Sequence, residues 1–469
     1  MKPIVFTLFG ASGDLAKLKL FPAIYELALR KNLPQDFYLL GFARSKISDQ
    51  KFREDFKQSV QAKFKVNGKI LKKILAHTYY FQGDYDQKAD FQKLKDYQKK
   101  LTGSSKFSQI AYFSVPPTAF QSIIKNLGET KLASDDLKIV LEKPFGTDLK
   151  SATELFHFTS TYFTEDQIFL LDHYLGKSAV QSVLGLRHHN RLLNLLMKGP
   201  EVANIQISAF ESLGVDKRVG YFEQVGTLKD MVQSHLLQVL ALITMSIPLS
   251  ENDNSLHREK NNILSALKFY PKKNNLVLGQ YEHYTKKEGV LKDSKTDTFA
   301  ALRLFIDRES WYQVPIYIRT GKKLNKRHSY IVIELKKFAF QSEKEEANRI
   351  IIEFAPEEKI SIKLLNKHGR STEYQELTTS DSIACQGESC MSEHSALILD
   401  ILNNKKTYFL SFPEILASWK LIDSITGFIK NTKLKPVIYS QDSCGPQQQY
   451  KLPEMDGYKW YKHGTTIDH

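Results

Sequence analysis

Ile4-Val5-Phe6-Thr7-Leu8-Phe9, running directly into Gly10-Ala11-Ser12-Gly13-Asp14-Leu15-Ala16, is the stretch on which the fold turns. A short β-branched and aromatic run predicts a strand, and the glycines at its end predict a tight turn into a helix. In such a turn Gly10 and Gly13 let the backbone approach a pyrophosphate, and the small Ala16 lets helix and strand pack closely. The helix start adds unpaired N–H groups and a partial positive charge. The same glycines also suit a plain strand-to-helix connection, so the neighbouring segments have to decide.

Those segments repeat the pattern. Leu15 to Arg30 has helical spacing at Leu20, Ile24, Leu27 and Ala28, and Pro22, which lacks an N–H, should kink or restart it. The next strand, Phe37 to Phe42, ends in Ala43-Arg44-Ser45. An acidic residue at that place suits the free ribose of NAD, whereas an arginine accommodates the 2'-phosphate of NADP, so Arg44 points to NADP. From Ser48 to Leu101 the chain is lysine-rich and helical in spacing, with solvated faces, interrupted by Tyr79 to Tyr85. Further strands follow at Ile110 to Val115, closed by Pro116-Pro117, at Lys138 to Glu142, and at Gln167 to Leu171. Strands alternating with helices argue a parallel, doubly wound sheet with ligands at the carboxyl ends of its strands. Arg44, Lys143 and Asp172 sit at such ends.

The last of these strands runs into Asp172-His173-Tyr174-Leu175-Gly176-Lys177, which gathers a carboxylate, an imidazole, a phenol and an ammonium. Strand ends often carry polar residues for no catalytic reason. In an ideal strand Asp172 and His173 point to opposite faces, so both serve one pocket only if the strand ends or bends there. Beyond Lys177 the rhythm changes. Val202 to Glu211 reads as a half-buried strand, and a long helix is expected near Asp230 to Met245. Asp230 with Gln233 has the form of a capping box, and His235 shares a helix face with Val239 and Leu242, as a buried hydrogen-bonded histidine does. Strands at Trp311 to Ile318, Tyr330 to Leu335 and Ile350 to Phe354 lack regular intervening helices, which suits an antiparallel sheet. The fold class expected is α/β plus α+β. Residues 1–175 make a Rossmann-like parallel-sheet domain, and 176–469 a larger α+β domain with a mainly antiparallel sheet.

At 469 residues and 42% hydrophobic the chain can bury a large core. Its formal charge of +14 favours anionic partners without choosing among nucleic acid, membrane surface and phosphorylated metabolites. Three cysteines, Cys385, Cys390 and Cys444, argue against a disulfide framework and for a reducing compartment. Cys385 and Cys390 with His394 fall one ligand short of a metal set, so no metal is expected. Entry into a strand straight after Met1-Lys2-Pro3 leaves no signal peptide, and the apolar stretch His235 to Leu249 is shorter than the roughly 20 residues of a membrane span. A soluble, cytoplasmic protein is expected, without a membrane or nucleic acid as partner.

The order of motifs resembles glucose-6-phosphate dehydrogenases from end to end. The resemblance is carried by Gly10 to Ala16 with Lys19, Glu142-Lys143-Pro144-Phe145-Gly146, and Asp172 to Lys177. It continues through Gly214-Val215 with Arg218, Gly220-Tyr221, Asp230-Met231-Val232-Gln233, His235-Leu236-Leu237-Gln238 and Arg319-Thr320-Gly321-Lys322. It implies oxidation of glucose 6-phosphate to 6-phosphogluconolactone, the first step of the oxidative pentose phosphate pathway, with NADP as hydride acceptor and NAD as a weaker alternative. By that resemblance His235 is the general base and Asp172 orients its imidazole. His173, Tyr174 and Lys177 bind the phosphate, Glu211 and Asp230 the sugar hydroxyls, and Lys19, Lys143, Lys322 and Arg327 complete the substrate pocket. On the cofactor side it implies Gly10, Ser12, Gly13, Asp14 and Leu15 of the turn, Arg44, Asp84, Tyr85 and Lys143, together with a cis peptide before Pro144. It also implies a homodimer or homotetramer. The sequence departs from the family pattern at Leu18, Leu170, Ser178, Ala355 and His394 to Ala396, which motivates a second reading as a catalytically weak relative that binds nucleotide or protein.

Overall fold

The computed structural model describes residues 3–103, 106–130, 132, 136–216, 219–248, 253–339, 346–368, 371–378 and 390–462; Arg218 and Cys385 lie outside them. The chain divides into two compact units, residues 1–176 with 390–415 and residues 177–389 with 416–469.

In the first unit six strands form one sheet: β1 (Ile4–Phe9), β2 (Phe37–Ala43), β3 (Thr78–Gln82), β4 (Ser108–Phe113), β5 (Leu137–Glu142) and β6 (Ile168–Leu171). Their spatial order is β3-β2-β1-β4-β5-β6, and every pair is parallel. This is the doubly wound order, with its switch point between β1 and β4, where such sheets seat ligands. The strands are almost continuously buried, as expected when helices cover both faces. Pro22 acts as anticipated: it occupies the first turn of a fresh α-helix, Phe21–Leu29, where its missing N–H costs nothing. Ahead of that helix, Ala16–Leu20 is wound as a π-helix, closed by the Phe21 N–H on the Ala16 carbonyl. The helix Glu393–Leu402 joins this unit from far along the chain. Leu397, Ile398 and Ile401 are fully buried in the same core as Phe6, Leu39, Tyr112 and Phe169. Burying side chains of that size contributes roughly 1.5–3 kcal/mol each, which fixes the return segment here.

The second unit is built on a mixed, mainly antiparallel sheet. Its strands are β7 (Val202–Phe210), β8 (Leu267–Lys268), β9 (Leu276–Tyr281), β10 (Phe299–Ile306), β11 (Ile316–Gly321), β12 (His328–Leu335), β13 (Arg349–Ala355), β14 (Lys359–His368), β15 (Ser371–Thr378) and β16 (Val437–Tyr439). They run in the order β15-β14-β13-β12-β7-β11-β10-β9-β16, with β8 paired to β10. Only β7 with β11 and β9 with β16 are parallel among the described pairs. Trp460, Tyr317, Phe299 and Tyr439 belong to one aromatic core on this sheet. Arg319 is fully buried there: its guanidinium donates to Ser208, Gln449 and Tyr330 and lies 4.1 Å from the Trp460 ring. That arginine is therefore committed to the fold.

The expected strands appear with ends shifted by a residue or two, apart from Trp311 to Ile318. There Trp311 closes a short 3₁₀ turn and the strand starts only at Ile316. Cis peptides precede Pro144, as anticipated, and also Pro356. Cys444 is outside any disulfide and accepts from the Asn325 amide, whereas Cys390 is disulfide-bonded, which the cysteine count did not suggest. No described helix is long and apolar enough to cross a membrane.

Candidate active site

In the first unit, β1 delivers the chain into the glycine turn. Gly10 has φ +79°, and a Cβ there would lie 2.0 Å from the Ser114 carbonyl oxygen, so only glycine fits. The turn is closed by the Gly13 N–H on the Gly10 carbonyl at 3.0 Å, and the Ser12 hydroxyl lies 3.1 Å from that of Ser45. Gly13 and Asp14 are exposed and Ser12 and Leu15 partly so, leaving the first helical turn open to an anion. Arg44, exposed at the end of β2, lies 5.7 Å from the Tyr85 ring centre. Tyr85 is buried and stacked on Phe42; burial pushes its phenol up, against the pull of the Arg44 charge and a main-chain hydrogen bond at Gly10. Gly10, Arg44 and Tyr85 thus form one contiguous edge, and the exposed turn and the exposed guanidinium fit a dinucleotide carrying a 2'-phosphate. Asp84 has a turn role: its carboxylate accepts from the Asp86 N–H at 3.1 Å.

Two strand ends away, Glu142 closes β5 and pairs in register with Leu171 of β6. The Tyr112 hydroxyl donates to Glu142 at 2.5 Å. Burial pushes the Glu142 carboxyl up to about 7, held down in part by Tyr112 and the Lys143 charge and raised further by Asp172. Glu142 stood in the sequence motif without a role, and Tyr112 was not singled out. Strand β6 stops at Leu171. Asp172 is buried, and its carboxylate accepts the Tyr174 N–H at 3.0 Å, while the Leu175 N–H closes a turn on the Asp172 carbonyl at 3.0 Å. The strand therefore ends just where alternation would have sent Asp172 and His173 to opposite faces. Lys19, exposed on the π-helical turn, is one of two lysine charges beside the buried His394; burial and then those charges push His394 down to about 4, so it is neutral at physiological pH.

In the second unit, Lys177 precedes the helix Ser178–His189, where the Ser178 hydroxyl donates to Glu358. Glu211 follows β7 and Lys322 follows β11, and the parallel register of those strands sets them side by side. The Lys322 ammonium donates to Glu211 and stands 3.7 Å from the Asp230 carboxylate, over the Phe222 ring. Three residues far apart in sequence thus form one polar cluster, with Lys322 and Asp230 buried and Glu211 partly exposed. Arg327 stands exposed immediately before β12, outside that cluster.

Asp230 and His235 lie on a stretch whose spacing predicts an α-helix opening in a capping box. Leu228–Leu236 is instead wound as a π-helix, with the Leu237 N–H on the Val232 carbonyl, so Asp230 is an interior residue rather than a cap. The change matters for direction. In an α-helix residues five apart point about 140° apart. Bonds from i to i+5 enlarge the turn until residues five apart lie nearly above one another. Asp230 and His235, both buried, are thereby turned toward one side.

Comparison with known proteins agrees with this layout. A family model described as glucose-6-phosphate dehydrogenase, NAD binding domain, matches residues 7–182, and one described as glucose-6-phosphate dehydrogenase, C-terminal domain, matches residues 184–461. Glucose-6-phosphate 1-dehydrogenase 6, cytoplasmic, of Arabidopsis thaliana is 35% identical over 96% of this chain and 90% of its own. A glucose-6-phosphate 1-dehydrogenase of Aggregatibacter actinomycetemcomitans is 34% identical over 97% of this chain and 96% of its own. Among solved structures, a glucose-6-phosphate dehydrogenase in complex with its substrate glucose 6-phosphate superposes with a TM-score of 0.90 at 31% identity, covering 98% of this chain and 99% of that one.

Proposed function

The chain belongs to the glucose-6-phosphate dehydrogenase family, and from that premise we propose that it oxidises glucose 6-phosphate to 6-phosphoglucono-1,5-lactone with NADP. The observation that carries this is the match of both family models in tandem from residue 7 to residue 461. NADP, when bound at the Gly10 to Leu15 turn with its 2'-phosphate toward Arg44, supplies the acceptor for the hydride that leaves C1.

The remaining work falls to the chain's own groups. His235 takes the proton from the C1 hydroxyl as the C1 carbonyl forms. A neutral imidazole accepts that proton at physiological pH, and a carboxylate partner favours the imidazolium produced. Asp172 is that partner. His173, Tyr174 and Lys177 bind the phosphate. Glu211 and Asp230 accept hydrogen bonds from sugar hydroxyls, with the Lys322 ammonium between them. Lys143 serves substrate and cofactor together, with Lys19 and Arg327 on the substrate side and Asp84 and Tyr85 on the adenosine side. The named cytoplasmic relative supports work in the cytoplasm. Assembly as a homodimer or homotetramer, without nucleic acid or membrane partners, completes the proposal.

The test is absorbance at the reduced-nicotinamide band with purified protein, glucose 6-phosphate and either NADP or NAD. Reduction of NADP is expected, and failure with both coenzymes would sink the proposal. His235→Asn should lower turnover by about 10² to 10⁴, the usual contribution of a general base.

A further inference from the structure

The π-helix that carries Asp230 and His235 is held at its start by a carboxylate from outside it, and the α-helix that continues it is held at its end. At its start, Gly226 has φ +68°, and a Cβ there would come 2.5 Å from Asp297 Oδ1, so the carboxylate is seated against bare main chain. Asp297 Oδ2 accepts the Leu228 N–H at 2.8 Å, and its main-chain carbonyl accepts the Thr227 N–H at 2.8 Å. These are the otherwise orphaned donors of a helix beginning, met by an anion at the positive end of the dipole. At the far end the helix continues as Leu237–Thr244. There the buried Arg187 guanidinium donates to the carbonyls of Leu242 and Met245, each at 2.7 Å, and the Trp311 indole donates to Thr244 at 3.0 Å.

We infer that Asp297 is a positioning residue for the proposed base, fixing the start of the π-helix so that its winding keeps His235 turned to the side of Asp230. This rests on the reading of His235 given above. π-Winding is rare beyond single turns, so a nine-residue stretch of it needs its start held from outside. Arg187 and Trp311 hold the end of the α-helix that continues it. With the near end released, the stretch relaxes toward α-winding, and residues five apart swing toward the roughly 140° separation of an ordinary helix. Asp297 belongs to none of the motifs that carry the family resemblance, and its side chain holds the start of this helix.

The experiment compares the full-length wild type, Asp297→Ala and Asp297→Asn with glucose 6-phosphate and NADP. Asp297→Ala should lower kcat roughly five- to thirty-fold, the effect expected for loss of a helix cap acting on the oriented state. KM for NADP should be unchanged, and the primary isotope effect with substrate deuterated at C1 should rise, because a misdirected base makes the chemical step limiting. Asp297→Asn keeps an acceptor for the Leu228 N–H and should restore most of the turnover. Wild-type kcat in folded Asp297→Ala, or an Asn variant as slow as the Ala variant, overturns the inference. If Asp297→Ala does not fold, Asp297→Glu, which keeps the charge but moves the acceptor, carries the same expectation of lowered kcat and raised isotope effect. An inactive wild type refutes the reading of His235, whereas an active wild type with an unaffected variant refutes the role of Asp297 alone.

Discussion

Replacing Tyr112 by Phe deletes one hydroxyl and leaves the ring, fully buried and stacked 5.8 Å from Phe6, in place. The hydroxyl donates at 2.5 Å to Glu142, whose carboxyl burial pushes from its ordinary 4.5 up to about 7. A carboxyl raised in this way contributes stability that is fully present below its unfolded value near 4.5 and is lost as pH rises through about 7, where the buried carboxylate forms. The loss amounts to about 3 kcal/mol. Tyr112 offsets part of it, because its phenol is itself pushed well above its ordinary range by burial and by Glu142, and so stays a donor. A hydrogen bond to a charged group is worth about 1.5–3 kcal/mol and one to a neutral group about 0.5–1.5. Tyr112→Phe should therefore destabilise the protein by about 1–2 kcal/mol more at pH 8.5 than at pH 5.5. For a unit of this size that difference lowers Tm by roughly 2 to 8 °C. The assay is thermal unfolding of wild type, Tyr112→Phe, Glu142→Gln and the double variant at both pH values. In the Glu142→Gln background the cost of Tyr112→Phe should no longer depend on pH. An equal cost of Tyr112→Phe at both pH values, or a pH-dependent cost that survives Glu142→Gln, would refute the reasoning.

Lys322→Met should raise KM for glucose 6-phosphate while leaving KM for NADP unchanged, since it leaves Glu211 and Asp230 without their shared cation. Unfolding measurements should show a loss of about 1–3 kcal/mol, below the usual figure for a broken buried pair because the Glu211 side chain is 41% exposed. Arg44→Ala should weaken NADP far more than NAD in steady-state kinetics, and equal losses would remove the 2'-phosphate role. Gly10→Ala should abolish tight coenzyme binding in a titration, because the added Cβ meets the Ser114 carbonyl oxygen at 2.0 Å in a backbone conformation that already disfavours a side chain.

The first unit was legible because its signals are local. Strands β1, β2, β4 and β5 are short apolar runs bounded by turn residues, and Gly10, Arg44 and Lys143 mark their carboxyl ends. The second unit was legible in kind: its strand succession suggested an antiparallel sheet, but only the tertiary structure sets β7 beside β11, the pairing that puts Glu211 next to Lys322. Asp297 gave no signal at all. A carboxylate just before a strand looks like any surface residue, and its role exists only because the Gly226 turn is brought against it.

By itself, then, the sequence determined the family, the parallel order of the first unit's elements and which residue types could bind a phosphorylated sugar and a dinucleotide. These follow from periodicity, turn chemistry and motif order, which are properties of neighbouring residues. Tertiary structure decided the direction in which the key side chains point. It ended β6 at Leu171 so that Asp172 enters a turn, it joined Lys322 to both Glu211 and Asp230, and it wound Leu228–Leu236 as a π-helix. An apolar pattern read at 3.6 residues per turn cannot reveal that winding, because the start of the π-helix is held by Asp297, distant in sequence from the helix it caps.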